Sequence, residues 1–328
     1  MTRIAIIGGG IGGLTAGIAL QKAGFSPIIY ERAPEFGEVG AGISLSPNAV
    51  KGLEQLGFRD FLKAKANEPL DQFLFHGLTG EQLLNYDRRT CRETYGGAYY
   101  QMHRADLLAG LVEAFGPENC RMGMALEGLS HDDSGATLRF VDGSSESADI
   151  VIGVDGLRSV IRDILFDTPE PTFSGHVAWR ALVPGDKLSA RATQRSNVNH
   201  IGPGQNLVTY PIRGTDLVNI VALTRAEGWT EESWNAKAAP AELAALFEGW
   251  APYVTDAIAA IGEDDLYRWG LFVRTPLTQW VKGRVGLLGD AAHPMLPYMG
   301  QGASSAIEDG VVLGRCFAQR PDPLDALG

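Results

Sequence analysis

The chain opens on an unbroken apolar run, Ile4–Ile7, and passes at once into the glycine-rich stretch 8–13. An apolar run of that length bounded by glycine reads as a buried strand. Leu14, Ile18 and Ala19 then recur at helical spacing, which predicts an amphipathic helix with Gly24 as its C-cap. "SPIIYE" reads as a second strand ending at Glu31. A similar pattern returns near the other end of the chain. Val285–Leu288 is another apolar run, ending at Gly289 and Asp290; a proline-broken turn follows, and a small-residue helix is expected from about Gly302. In the middle, "HVAWRALVP", "QNLVTYPIRG" and "DLVNIVALT" read as strands with partial alternation, and "PAELAALFEGWAPYVTDAIAAI" as a helical stretch. Residues 70–101 read as irregular chain rich in aromatics.

Composition narrows the classes. The 328 residues suffice for one large or two ordinary domains. With 45% hydrophobic and 20% charged residues, a packed core is expected rather than disorder. The net charge of -11 and the lack of any Lys/Arg-rich block argue against nucleic acid as a partner. Cys91, Cys120 and Cys316 are far apart with no CxxC pair, so neither a disulfide framework nor a metal site is expected. "MTRIAIIGGG" enters a strand directly, without a signal-peptide layout, and no apolar run approaches the roughly 20 residues that span a bilayer. A cytoplasmic setting with no integral membrane segment is expected.

The first turn carries chemistry. Gly8, Gly10 and Gly13 fit G-x-G-x-x-G between a strand and a helix. One glycine makes the tight turn, the next lets the backbone approach a pyrophosphate, and the third lets helix and strand pack closely. The helix N-terminus stabilises phosphate charge. Glu31, at the end of the second strand, is placed to accept hydrogen bonds from ribose hydroxyls and disfavours a 2′-phosphate. FAD and NAD both satisfy this turn. The second turn favours FAD: in a doubly wound sheet ligands lie beyond the carboxyl ends of the strands, so Asp290 points at a ligand already held by the first turn. Only a long cofactor needs both. The fold class is α/β, with a doubly wound, Rossmann-like FAD-binding domain (1–70, 98–170 and 269–328) and an inserted, mostly antiparallel substrate-binding domain (71–97 and 171–268). The flavin is expected at their interface, where pockets form preferentially.

Three segments together resemble a known family. "GGGIGG" with Glu31, "ADIVIGVDGLRSVIR" and "GRVGLLGDAAHPMLPYMGQGASSAIEDG" occur in the order found in the single-component FAD-dependent aromatic hydroxylases of the p-hydroxybenzoate hydroxylase fold, close to the salicylate and 3-hydroxybenzoate hydroxylases. The resemblance implies tightly bound FAD, with Gly8, Gly10, Gly13, Glu31 and Arg32 at its adenosine half. It implies Arg104 at the ribityl–phosphate region, Asp155 and Gly156 near the pyrophosphate, and Asp290 at the ribityl hydroxyls. The segment Pro294 to Ala303 would border the flavin ring, with Pro297, Gly300, Gly302 and Ala303 as its contacts, and Gly40 and Gly42 would permit close approach. It also implies transient NADH or NADPH, with O2 and a small phenolic, benzoate-like or N-heteroaromatic substrate as co-reactants. Oxygen transfer in the family runs through a flavin C4a-hydroperoxide. A monomer or homodimer is expected, and family chains usually continue past the point reached at Gly328.

Two positions depart from the family. A histidine that helps ionise a phenolic substrate commonly stands four residues before the tyrosine of "NLVTYPIR"; here that position is Asn206, and an amide is no general base. The position after "GAGI" that holds histidine in a hydroxynicotinate-type relative is Ser44. Tyr210 and Gln301 match substrate-contacting positions, and with Asn206 they complete the expected catalytic set. His200 and His293 are the substitutes for a base, His293 more simply as a structural or flavin-side residue. The alternatives to a monooxygenase are an FAD-dependent reductase or oxidase, a quinone-pathway ring hydroxylase, and a flavin-binding protein without activity.

Overall fold

A computed structural model describes residues 2–37, 41–190, 192–194, 196–229 and 236–328. Gly40 lies outside them.

The first strand, Ile4–Ile7, is buried on both faces and sits inside a six-stranded sheet. Its neighbours, Ile150–Gly153 and Ile28–Glu31, run parallel to it. Val285–Leu287 continues the sheet on one side and Cys120–Met122 on the other; only Val281–Lys282, at the edge, is antiparallel. Burial on both faces explains why these strands are continuous apolar runs rather than alternating ones. Ile4 and Ile6 point to one layer, containing the helices Ile11–Lys22, Arg104–Phe115 and Gly302–Gln319. Ala5 and Ile7 point to the other, where a three-stranded sheet (Leu126–His131, Ala136–Phe140, Ser145–Ala148) and the helix Val160–Phe166 cover them.

The expected one-sided helix after the first turn is instead buried on all sides from Ile11 to Leu20. It is wedged between the sheet and two helices. A Cβ on Gly17 would lie 2.6 Å from the Phe115 ring, and one on Gly314 would lie 2.6 Å from Ala19. Its chain leaves through Gly24 at φ 93°, just past the helix end.

The second sheet has eight strands: Ala236–Lys237, Leu266–Val273, Thr172–Pro184, Leu217–Arg225, Gln205–Ile212, Ser196–Gly202, Asp71–His76 and Gln82–Asp87 in spatial order. All pairs are antiparallel except Ser196–Gly202 with Asp71–His76. The odd-numbered residues Val177, Trp179, Ala181 and Val183 pack under the helices Pro240–Leu246 and Pro252–Ala259, with Phe247, Trp250 and Val254. The even-numbered Ala178 and Arg180 therefore face the opposite way, toward the first sheet.

Three expectations change. Residues 70–101 are not irregular: Asp71–His76 and Gln82–Asp87 pair as a hairpin at the sheet edge. "QLLNYD" lacks alternation because its strand is exposed throughout, so pairing rather than burial pattern makes it a strand. The stretch 240–261 is two helices, not one. Gly249 at φ 76° and Pro252, which has no N–H to donate, break it. The boundary expected after residue 268 falls inside Leu266–Val273, a strand that stays in the eight-stranded sheet to its end. Among the described residues no helix is long and apolar enough to cross a membrane.

Candidate active site

The glycine turn and the eight-stranded sheet enclose one continuous groove. Its inner end, about 460 Å³, is bordered by Gly8, Gly10, Glu31, Arg32, Asp155 and Arg158. Its outer end, about 500 Å³, lies over the large sheet and is bordered by Ser44, Tyr99, Arg180, Tyr210, Trp269 and Asp290. Gly10, Arg104, Val154 and Gly156 border both ends, which makes the two a single passage.

Each glycine of the turn has a separate reason. A Cβ on Gly8, at φ 111°, would lie 2.3 Å from the Val154 carbonyl oxygen, and one on Gly13 would lie 2.0 Å from that of Gly8. Those two close the strand–turn–helix packing, and Gly13 borders no part of the groove. A Cβ on Gly10 meets nothing within 4 Å. It would project into the groove, so bareness there serves an occupant. Behind it the helix Ile11–Lys22 has no side-chain N-cap and no acid in its first turn, leaving its N–H groups for an anion. Glu31 holds this loop: one carboxylate oxygen accepts from the Gly9 N–H (2.6 Å), the other from the Ala33 N–H (2.9 Å). Its remaining lone pairs are free for ribose hydroxyls. Asp155 accepts from the Ser159 hydroxyl (2.5 Å) and the Ile161 N–H (3.3 Å), and burial raises its pKa.

Arg104 borders both ends of the groove, Asp290 the outer end alone, and the two act on each other electrostatically. Burial lowers the Arg104 pKa to about 10, helped by repulsion from Arg180 and opposed by Asp290. It stays a cation at neutral pH. Asp290 opens onto the groove while protein surrounds it, and that enclosure raises its pKa against the pull of His293 and Arg104. The turn bearing Asp290 is clamped by Asp309, whose Oδ2 accepts from the Gly289 N–H (2.8 Å) and bonds His293 Nε2 (2.7 Å). This bond raises the His293 pKa, chiefly through the Asp309 hydrogen bond. His293 is thus a turn fastener. Pro297, Gly300, Gly302 and Ala303 border the outer end, and the uncapped N-terminus of Gly302–Gln319 faces it.

On the sheet side, Tyr210 is buried and its phenol is pushed well above its ordinary pKa by desolvation. The Ser44 side chain interacts with the phenols of both Tyr99 and Tyr210. Gly42 makes room for them: a Cβ there would lie 2.7 Å from the Tyr210 hydroxyl, and its N–H donates to Asn219 Oδ1 (2.7 Å). The other two members of the expected catalytic set stand outside the wall. Asn206 donates to Asn199 Oδ1 (3.1 Å), and it is Asn199 that borders the cavity. Gln301 precedes the helix Gly302–Gln319 and accepts from the Ser46 hydroxyl (3.0 Å). His200 is fully buried on the helix-covered face, stacked on Phe75 at 5.2 Å and Tyr253 at 4.9 Å. Among the described residues bordering the outer cavity there is no histidine.

Arg180, Tyr99, Asn197, Asn199 and Trp269 were not foreseen. Arg180 carried a sequence signal, a lone charge inside the apolar run "VAWRALV".

Known proteins are similar to this chain over nearly its whole length. The model of the FAD binding domain family matches residues 1–320. The 3-amino-4-hydroxybenzoate 2-monooxygenase of Streptomyces platensis is 39% identical over 327 residues, covering 99% of this chain and 82% of that one. The 6-hydroxynicotinate 3-monooxygenase of Pseudomonas fluorescens is 36% identical over 320 residues, covering 97% and 83%. The crystal structure of Klebsiella pneumoniae HpxO complexed with FAD and uric acid superposes with a TM-score of 0.90 at 30% identity, covering 99% and 82%.

Proposed function

The chain belongs to the FAD-dependent aromatic hydroxylases, and from that premise we propose how its own residues serve the reaction. It is a monooxygenase acting on a small aromatic or heteroaromatic ring. The observation that carries the proposal is the single groove running from a bare glycine turn to a cavity floored by a sheet. Bound FAD would supply the redox chemistry, with NADH or NADPH as the electron donor and O2 as the source of the oxygen atom.

The residues hold, orient and enclose. The Gly10 backbone and the N-terminus of Ile11–Lys22 bind the diphosphate, and Arg104 adds a cation. Asp290 accepts hydrogen bonds from the ribityl hydroxyls, on a turn that Asp309 keeps in place. The uncapped N-terminus of Gly302–Gln319 would favour negative charge on a ring system held in the outer cavity. Tyr210 retains its proton at neutral pH, so its hydroxyl donates to a phenolic oxygen rather than deprotonating it. Ser44 and Tyr99 extend that hydroxyl network. Part of the outer 500 Å³ must take the cofactor's ring, which leaves space for a small ring rather than a polyprenyl chain. The same reading has the protein act in the cytoplasm as a monomer or homodimer.

The test is oxidation of NADH and NADPH by the FAD-loaded protein against hydroxybenzoates, salicylate and hydroxypyridines, with product mass spectrometry. A compound that accelerates oxidation and gains one oxygen atom supports the reading. FAD-loaded protein that oxidises the nicotinamide with every compound but oxygenates none would make it a reductase or oxidase.

A further inference from the structure

Arg213 is held in a backbone conformation that its side chain does not favour. It sits at φ 48°, in the turn between Gln205–Ile212 and Leu217–Arg225. Among the described residues Asp167 is the other non-glycine at positive φ, and it caps the helix Val160–Phe166, a common use of that conformation. Arg213 ends no helix. Its guanidinium grips Asp106 with two bonds, Nε to Oδ2 at 2.9 Å and Nη2 to Oδ1 at 2.6 Å. The Arg213 side chain is 46% exposed and that of Asp106 23%, and a pair so open to solvent adds little stability. A strained backbone kept beside a weak ion pair is better accounted for by geometry than by stability. A planar fork on a carboxylate fixes orientation as well as distance.

The same turn is fastened a second time. Asn67 Nδ2 donates to the carbonyls of Pro211 (2.8 Å) and Gly214 (2.6 Å), and its Oδ1 accepts from the Gly214 N–H (3.2 Å). The Asn67 backbone in turn bridges to Gln101 in both directions, at 2.7 and 2.8 Å. Gln101 belongs to Tyr100–His103, the strand that runs directly into Arg104 and its helix. A third tie lies beside these, from the Gly42 N–H to Asn219, the residue opposite Tyr210. Gly42 is itself paired with His103. Burial, and then the Arg213 charge, lower the His103 pKa, which leaves the imidazole neutral to accept from the Ala105 N–H at 3.2 Å. One seam therefore joins the large sheet at Tyr210 and Asn219 to the chain at 103–106. Tyr210 and Arg104, on its two sides, both border the outer cavity.

We propose that Arg213, Asp106 and Asn67 are positioning residues for the hydroxylation: they clasp the Tyr210 end of the sheet to the Arg104 end of the groove and so set the separation between substrate ring and cofactor. The proposal rests on the monooxygenase reading and adds to it three residues that border neither end of the groove. Oxygen transfer tolerates little misplacement, since an error of about 1 Å from a remote change costs up to ~100-fold in rate. Folding rests on the buried cores and cofactor binding on the glycine turn, so both depend on the clasp far less.

The test compares FAD-loaded wild type with Arg213→Asn, Arg213→Lys and Asn67→Asp. Asparagine enters the left-handed region more readily than arginine, so Arg213→Asn removes the grip without adding strain. Asn67→Asp keeps an acceptor for the Gly214 N–H and removes both donors. The substrate is whichever of salicylate, 3-hydroxybenzoate and 6-hydroxynicotinate wild type oxygenates fastest. Arg213→Asn should keep the wild-type Tm and FAD affinity, yet yield at least threefold less oxygenated product per nicotinamide oxidised. Asn67→Asp should show the same loss of yield, and Arg213→Lys, which keeps the charge without the fork, should retain part of it. Hydrogen exchange at the Gly42 N–H, which needs no turnover, should run at least tenfold faster in Arg213→Asn and Asn67→Asp. Wild-type product yield with wild-type exchange in those two variants overturns the proposal. So does a lowered Tm with the yield per bound flavin unchanged, which would make the clasp structural only. Wild type that binds FAD but oxygenates none of the three compounds counts against the monooxygenase reading instead, and exchange at Gly42 then decides the clasp alone.

Discussion

Asp309→Asn is the most informative single change, because one carboxylate oxygen holds two parts of the turn that presents Asp290. It accepts from the Gly289 N–H at 2.8 Å and pairs with His293 at 2.7 Å. Both side chains are largely enclosed, at 17% and 22% exposure, so solvent screens the pair only partly. An amide oxygen could keep one of the two bonds but not the charge. Hydrogen bonds to charged groups contribute roughly 1.5–3 kcal/mol each, so losing about one sets the cost near 2 kcal/mol. For a chain of this size that is a fall of roughly 3 °C in Tm. The pH dependence has a definite sign. The His293 pKa is raised in the folded protein, so its contribution is complete below the ordinary imidazole value and is lost as pH rises through the raised one. The Tm gap between wild type and variant should be widest near about pH 6 and should narrow by about pH 9. FAD affinity, measured by flavin fluorescence on release, should fall about tenfold as the Asp290 turn loosens, a loss of ~1.4 kcal/mol. A variant with the wild-type pH profile and the wild-type FAD affinity would refute the clamp.

Other expectations follow from the same geometry. Gly10→Ala should leave the apoprotein's Tm unchanged, since its Cβ meets nothing, yet cut FAD affinity at least tenfold; equal affinity in a titration would show that the cofactor does not approach that atom. Gly42→Ala should lower stability by about 1–3 kcal/mol in denaturant unfolding, because its Cβ would meet Asn219 at 2.6 Å and Tyr210 at 2.7 Å. Tyr210→Phe should keep FAD bound but reduce kcat on a phenolic substrate by about tenfold or more, with the hydroxyl's hydrogen bond gone; an unchanged kcat would remove Tyr210 from the site. His200→Phe should leave the pH dependence of kcat/KM as it is, and a lost ionisation in that profile would make His200 the base after all.

The glycine turn between strand and helix was legible because its demands are local. Gly8, Gly10 and Gly13 lie within six residues of one another, and Glu31 closes the same loop one strand later. Backbone geometry at that spacing admits few residue types, so the chemistry shows in the letters. The turn at Asp290 was legible for the same reason, though its fastener was not: Asp309 is 20 residues past Gly289, inside the helix Gly302–Gln319, and nothing local marks it. The missed hairpin at 71–87 lies at a sheet edge, exposed throughout on its outer strand, where no burial pattern is written into the sequence. The break in the 240–261 helix was written there, in Gly249 and Pro252, but the apolar spacing on either side masked it.

The substrate side answers to a different rule. Asn199 and His200 are adjacent, yet one borders the cavity and the other is sealed under a helix. Strand side chains alternate, so the face each one takes depends on which neighbour it pairs with, and register is a property of the assembled sheet. Gln301 and Asn206, placed at the site by position in the chain, turn to Ser46 and Asn199 instead. Arg180, Val221, Val208 and Asn199 come from four strands that only the folded register lines up. The sequence by itself thus determined the two glycine-bearing turns, the family and the class of chemistry, since these rest on short-range backbone constraints. Which side chains border the outer cavity was decided by long-range strand pairing, because only tertiary structure brings distant segments to one face.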